Sequence, residues 1–272
     1  MKATRGRVIF WGIIVALLII SALFEIPVTE HIEIPGTPND GSEVTAVLVT
    51  DLHSCYYGKD QESLVNMVKA AEPDIIFLGG DIFDDKLADD NTEVFLRRIS
   101  ELYPCFYVTG NHEYWSERQE QMCDFCESVG ITVLRGDCET VTVNGRQIDI
   151  CGVDDPTYMT DEAWNNQLTN AWEQTREDHY RILLSHRPER VAEYENYDFD
   201  LILSGHAHAG QFRIPFFNRG VYAPNQGFGA RYINGIYELR NGSSMVVSRG
   251  LARESTPLPR FFNNPELVVL DF

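Results

Sequence analysis

The run "VTAVLVT", residues 44 to 50, is apolar apart from its threonines and closes on Asp51. The same pattern recurs along the chain. "DIIFLGG" (74 to 80) leads into Asp81, "CFYVTG" (105 to 110) into Asn111, "RILLS" (181 to 185) into His186 and "LILSG" (201 to 205) into His206. Between the first three runs, residues 60 to 71 carry Leu64, Val65 and Val68 at helical spacing, and residues 91 to 102 carry Val94, Phe95 and Ile99 likewise. Strand, helix, strand with runs this apolar predicts an α/β protein with buried sheets and helices outside. Ligands of such sheets lie beyond the carboxyl ends of the strands.

Collecting the residues at those ends gives Asp51 and His53 from "DLH", Asp81 from "GGD", and Asn111, His112 and Glu113 from "GNHE". "SHRP" adds His186, and "GHAHAGQ" (205 to 211) adds His206 and His208 between two glycines that permit a turn. Imidazole and carboxylate without thiolate suit Mn, Fe, Zn or Co. The set is too large for one ion, whereas two divalent ions sharing a carboxylate are the arrangement that clamps displacement at phosphorus. Taken singly, Asp51 is equally well read as a helix cap, and a lone histidine as a satisfied polar group.

Composition narrows the partners. The 272 residues hold 41 acidic against 22 basic side chains, a net charge of −19, which argues against nucleic acid because phosphate backbones recruit Lys and Arg. Six cysteines are too few for a disulfide scaffold at this length, and Cys123 and Cys126 fall at helical spacing as small buried residues.

The N-terminus differs from the rest. Lys2, Arg5 and Arg7 precede "VIFWGIIVALLIISALF" (8 to 24), which carries no charge. This predicts one N-terminal transmembrane signal anchor, with residues 1–7 cytoplasmic and the rest outside a single-pass cell membrane protein. A cleaved signal peptide is the alternative. Residues 25–42, with several prolines, read as a spacer or an extended lead-in, and 43–272 as one folded domain.

The series "DLH", "GGDIFDD", "GNHE", "SH" and "GHAH", in this order, resembles the calcineurin-like metallophosphoesterase superfamily over nearly all of residues 45 to 210. "GHAHAGQ" together with "VSRGLARESTPLPRFFNNPELVVL" (247 to 270) resembles its membrane-associated subgroup of small bacterial phosphohydrolases, some of which hydrolyse UDP-2,3-diacylglucosamine. The resemblance implies a four-layer α/β/β/α sandwich of two mixed sheets. It implies that Asp51, His53 and His208 bind one metal, that Asn111, His186 and His206 bind the other, and that Asp81 bridges them. A hydroxide between the ions would attack phosphorus, with His112 protonating the leaving group and Glu113 orienting its ring.

The activity implied is hydrolysis of a phosphomonoester or phosphodiester, and the anchor points to a lipid or cell-envelope component as substrate. The alternatives are a cytoplasm-facing pyrophosphohydrolase of a nucleotide-linked lipid and a non-catalytic surface binding module. Arg187 meets a second substrate phosphate or sits in a surface ion pair, and Gln211 and Arg249 are candidates for lining the pocket. Asp84 is a helix start or supports a ligand, and Cys55 is a packed thiol. His31 and His179 are read as surface residues. Phe212, Phe216, Phe217 and Phe228 are core residues or contacts for an apolar substrate.

Overall fold

A computed structural model describes residues 10–12, 25–37, 41–213, 220–253 and 259–272. The strands along the chain are β1 (Val28–Glu33), β2 (Thr45–Val49), β3 (Ile75–Gly79), β4 (Cys105–Val108), β5 (Thr132–Val133), β6 (Asp137–Val143) and β7 (Arg146–Gly152). They continue as β8 (Tyr180–Leu184), β9 (Leu201–Ser204), β10 (Tyr222–Ala223), β11 (Gly227–Phe228), β12 (Gly235–Glu238), β13 (Ser244–Val247) and β14 (Glu266–Asp271). The α-helices are α1 (Glu62–Ala70), α2 (Asp90–Ser100), α3 (Asn111–Trp115), α4 (Gln119–Ser128), α5 (Asp161–Glu173) and α6 (Val191–Tyr194).

Two six-stranded sheets result, ordered β1-β14-β2-β3-β4-β5 and β12-β13-β9-β8-β7-β6. Both are mixed: β2, β3, β4 and β5 run parallel beside an antiparallel β14, and β7, β8, β9 and β13 run parallel between antiparallel β6 and β12. The apolar runs show no polar alternation because both faces of each central strand are covered. Ala46, Leu48, Ile75 and Phe77 face Ile182, Leu184, Leu201 and Leu203 in a core between the sheets. Their neighbours Val47, Val49, Ile76 and Leu78 turn outward to Leu64 and Val68 of α1, Phe95 and Ile99 of α2, and Cys123 and Cys126 of α4. On the other outer face Leu183, Ile202 and Met245 meet Trp164 and Leu168 of α5. Helix, sheet, sheet, helix is the layering that the motif series implied. Val94 is only half-buried; Leu96 takes its place beside Phe95.

The N-terminal expectation needs correction. No helix among the described residues is long and apolar enough to cross a membrane. Of residues 8–24 only 10–12 are described, as one short helical piece, and the rest of that stretch, like 1–7, lies outside the described residues. A single-pass membrane protein with an external domain is therefore not supported. Residues 25–42 also hold more than a spacer, since Val28–Glu33 pairs in parallel with Glu266–Asp271 as the edge strand of the first sheet. Its half-exposed, polar sequence hides it from an apolar pattern search, as expected of an edge. Cys138 and Cys151 lie opposite one another on β6 and β7 and form a disulfide.

Candidate metal centre

The parallel strands of both sheets deliver their carboxyl ends to one rim. Asp51 and His53 follow β2, Asp81 follows β3, Asn111 opens α3 after β4, His186 follows β8, and His206 and His208 follow β9. Cross-sheet bonds lock the two rims together: the His206 amide donates to Asp51 Oδ1 (3.0 Å) and His186 Nδ1 donates to the Gly79 carbonyl (2.8 Å). Asp51, His53, Asp81, Asn111, His186 and His206 are buried, and His208 keeps a narrow exposed edge.

The loops reach this arrangement at a conformational cost. Asp51, His53, Asp81, His206 and His208 have φ of 48°, 48°, 52°, 64° and 44°, the left-handed region that costs an L-residue roughly 1–2 kcal/mol. The strained turns aim the side chains inward, and glycine makes room: a Cβ on Gly205 would stand 2.5 Å from Asp51 Oδ2.

The buried atoms identify what the centre is built to hold. His53 Nε2, Asp81 Oδ2, Asn111 Oδ1 and His186 Nε2 are buried without a hydrogen-bond partner, and His208 presents Nε2 to Asp51 Oδ1 at 3.6 Å. A buried polar atom left unsatisfied costs about 1–3 kcal/mol, so such a cluster needs a cation to repay it. The opposite ring nitrogens are engaged: His53 Nδ1 by Asp84 Oδ1 (3.1 Å), His186 Nδ1 by Gly79, and His206 Nε2 by Asn225 Oδ1 (2.8 Å). Each bond fixes a ring so that its other nitrogen offers a lone pair inward, as metal-binding histidines require. Burial, with the Arg187 guanidinium beside it, brings the His206 pKa down to about 3, and burial pushes His208 well below its ordinary value. Both rings are thus neutral, the form that ligates.

Asp81 is the shared member. Donor atoms of Asp51, His53 and His208 lie within 4.8 Å of one another, and so do those of Asp81, His186 and His206; Asp81 also groups with His53 and His112. Asp81 Oδ2 is 3.1 Å from His186 Nε2 and 3.7 Å from His53 Nε2. Residues and donor types fit two divalent ions with one carboxylate between them.

His112 lies at the open side. Its Nδ1 is 2.7 Å from Asp85 Oδ1 and 3.3 Å from Asp84 Oδ1, and its ring packs on Trp115. Burial opposes its charge, but Asp84, Asp81 and Asp85 together raise its pKa to about 9. Glu113 does not orient this ring. Its carboxylate accepts the amides of Gly110 (2.7 Å), Asp81 (3.0 Å), Ile82 (2.8 Å) and Phe83 (3.0 Å). At the third position of α3 it folds back over the helix start and staples the loop after β3 to the loop after β4.

The pocket residues also sit differently from expectation. Arg187 is buried rather than on the surface, its Nε and Nη2 forked on Asp155 and its Nη1 on Asn225, and it reaches solvent only where it lines a cleft with Thr157 and Asn225. Arg249 turns to Glu266, donating from Nε at 2.5 Å, and lies 3.6 Å from Glu30. Gln211 is half-buried with φ 55°, and its carbonyl accepts from the Phe261 amide and Asn263. His31 is exposed as expected, but His179 is buried on Asp149 at 2.9 Å. Phe228 is exposed and Phe212 half-buried; Phe216 and Phe217 lie outside the described residues. Sequence reasoning missed Asp85, Asp155 and Asn225. Asp155 had a signal, because "DICGVDD" (149 to 155) is a further apolar run closing on acids.

The model of the calcineurin-like phosphoesterase family matches residues 44–210, more than half of the chain, and the protein belongs to that family. The chemistry of that family is metal-dependent phosphoester hydrolysis. An uncharacterized metallophosphoesterase of Aquifex aeolicus is 31% identical over 244 residues, covering 85% of each chain. One from Helicobacter pylori is 30% identical over 234 residues, 84% of this chain but 59% of its own length, so this chain spans about three-fifths of that relative. Among solved structures, the NAD nucleotidase of Haemophilus influenzae shares the fold, with a TM-score of 0.52 and 18% identity over 77% of this chain and 45% of that one.

The staple and the histidine separate experimentally. Glu113→Ala leaves four buried amides without an acceptor and is expected to cost about 3 kcal/mol or more in urea unfolding, whereas His112→Ala changes stability by less than about 1 kcal/mol. Equal stabilities of the two variants would contradict the staple.

Proposed function

We propose that the chain is a dinuclear metal-dependent phosphoesterase of one catalytic domain that includes β1. Asp51, His53 and His208 hold one ion, Asn111, His186 and His206 hold the other, and Asp81 serves both. The observation that carries this is the cluster of buried, partnerless donor atoms around Asp81. Two divalent ions in such a site polarise phosphoryl oxygens and lower the pKa of water toward neutrality.

His112 supplies the proton for the leaving oxygen. Its Nδ1 is engaged by the acids behind it, so Nε2 is the nitrogen that gives the proton up, and the neighbouring carboxylates keep the ring charged until it does. Glu113 keeps the two loops in register, so its effect on rate is indirect. Next to Arg187 and Asn225, which contact His206, a cleft of about 510 Å³ bordered also by Thr157, Glu189, Arg190 and Glu193 has room for the remainder of the substrate. Its charged border supports a polar leaving group. A lipid or envelope substrate was expected because of an anchor, and no helix among the described residues supplies that support. The filled ligand set, with its donor atoms aimed inward, favours an enzyme over a binding module.

Asp81→Ala is expected to purify without either ion after manganese loading, and His206→Ala to keep one. Metal analysis decides, and two ions retained in Asp81→Ala would sink the shared carboxylate.

The proton donor has its own signature. With a pKa near 9, His112 remains protonated up to alkaline pH, and the rate on an alkyl phosphoester falls as pH rises through that value. Asp85→Asn removes one of the groups that raise it while sparing Asp84, which also holds His53. The alkaline limb is expected to move to lower pH in that variant. An unmoved limb would remove His112 from this role.

A further inference from the structure

His53 is oriented by Asp84 and His186 by the Gly79 carbonyl of the opposite sheet, one acceptor each, but His206 is held by a chain of residues drawn from three separate loops. Asn225 stands between β10 and β11 with φ 57°. Its Oδ1 accepts from Arg187 Nη1 at 2.7 Å and lies 2.8 Å from His206 Nε2. Arg187 is in turn gripped by Asp155 through Nε (2.5 Å) and Nη2 (2.9 Å), with Thr157 Oγ1 accepting from Nη2 at 3.0 Å.

The donor inventory fixes the direction of every bond. A guanidinium has only donors, so the Asn225 atom facing Arg187 is its carbonyl oxygen. The same oxygen faces His206, so His206 Nε2 carries the hydrogen. Its Nδ1, which makes no hydrogen bond among the described residues, keeps the lone pair. Arg187 Nη1 also lies 3.0 Å from His206 Nε2, but two donors do not bond one another, and the shared oxygen between them resolves the contact.

We propose that Asn225, fixed by Arg187 and Asp155, is a positioning residue that selects the ligating tautomer of His206 and thereby sets the ion affinity of the Asn111–His186–His206 side. The Asp51–His53–His208 side is oriented independently through Asp84. The inference rests on the two-ion reading of the site.

The test is manganese titration of the full chain by calorimetry, comparing wild type with Asn225→Gly and Asn225→Asp. Glycine accepts a positive φ and removes only the oxygen, so backbone strain does not confound the result. Aspartate also tolerates this φ and restores an acceptor for both donors. Wild type is expected to bind two ions. Asn225→Gly is expected to bind one of them as wild type does and the other about 10–100-fold more weakly, and Asn225→Asp to return both to near wild-type affinity. The proposal is overturned if glycine leaves both affinities intact, if it weakens both alike, or if aspartate does no better than glycine. A wild-type chain that binds fewer than two ions overturns the two-ion reading, and this inference with it.

Discussion

Asp81 Oδ2 is buried, accepts no hydrogen bond, and stands within 4 Å of two imidazole nitrogens. Its other oxygen accepts the His112 amide (2.8 Å), and its own amide is held by Glu113. The carboxylate is therefore pinned on one side and left open on the side that faces the ligands of both sheets. Asp51 resembles it, accepting the His206 amide from the opposite sheet. Joining two sheets across buried carboxylates is unfavourable unless positive charge offsets their burial, which makes the rim and its cation interdependent. Strain in the ligand loops belongs to the same constraint, because an isolated domain has no reason to hold five functional residues at positive φ.

Much of this was legible in the sequence because strand ends combine two signals: an apolar run, then a polar residue of ligand type. Those signals placed Asp51, Asp81, Asn111, His186 and His206 on one rim. The layering followed from runs such as "DIIFLGG", whose alternate residues serve two different cores. What failed was orientation beyond the strand end. Glu113 is adjacent to His112 in sequence, but a helix start turns its carboxylate back onto four amides. Arg187 follows a ligand directly, but its fork closes on Asp155, a partner from another strand. Asn225 has no local signal, since a turn asparagine owes its role here to the tertiary placement of the β10–β11 hairpin. The apolar N-terminal stretch raised an anchor that the described helices do not provide.

The supporting residues divide the labour in a way that bears on chemistry. Asp84 serves His53 and also raises His112, so metal binding and proton supply on that side are coupled through one carboxylate. His206 depends instead on the Asp155–Arg187–Asn225 chain at the border of the polar cleft. One side of the centre thus faces the proton donor and the other faces the space for the remainder of the substrate.

The central claim is that the partnerless atoms around Asp81 are ligands of two ions. Anomalous diffraction at the manganese edge from crystals soaked in manganese tests it most directly. Two peaks roughly 3.5–4 Å apart on either side of the Asp81 carboxylate are predicted. One peak or none at that carboxylate, with ions bound elsewhere, would contradict it.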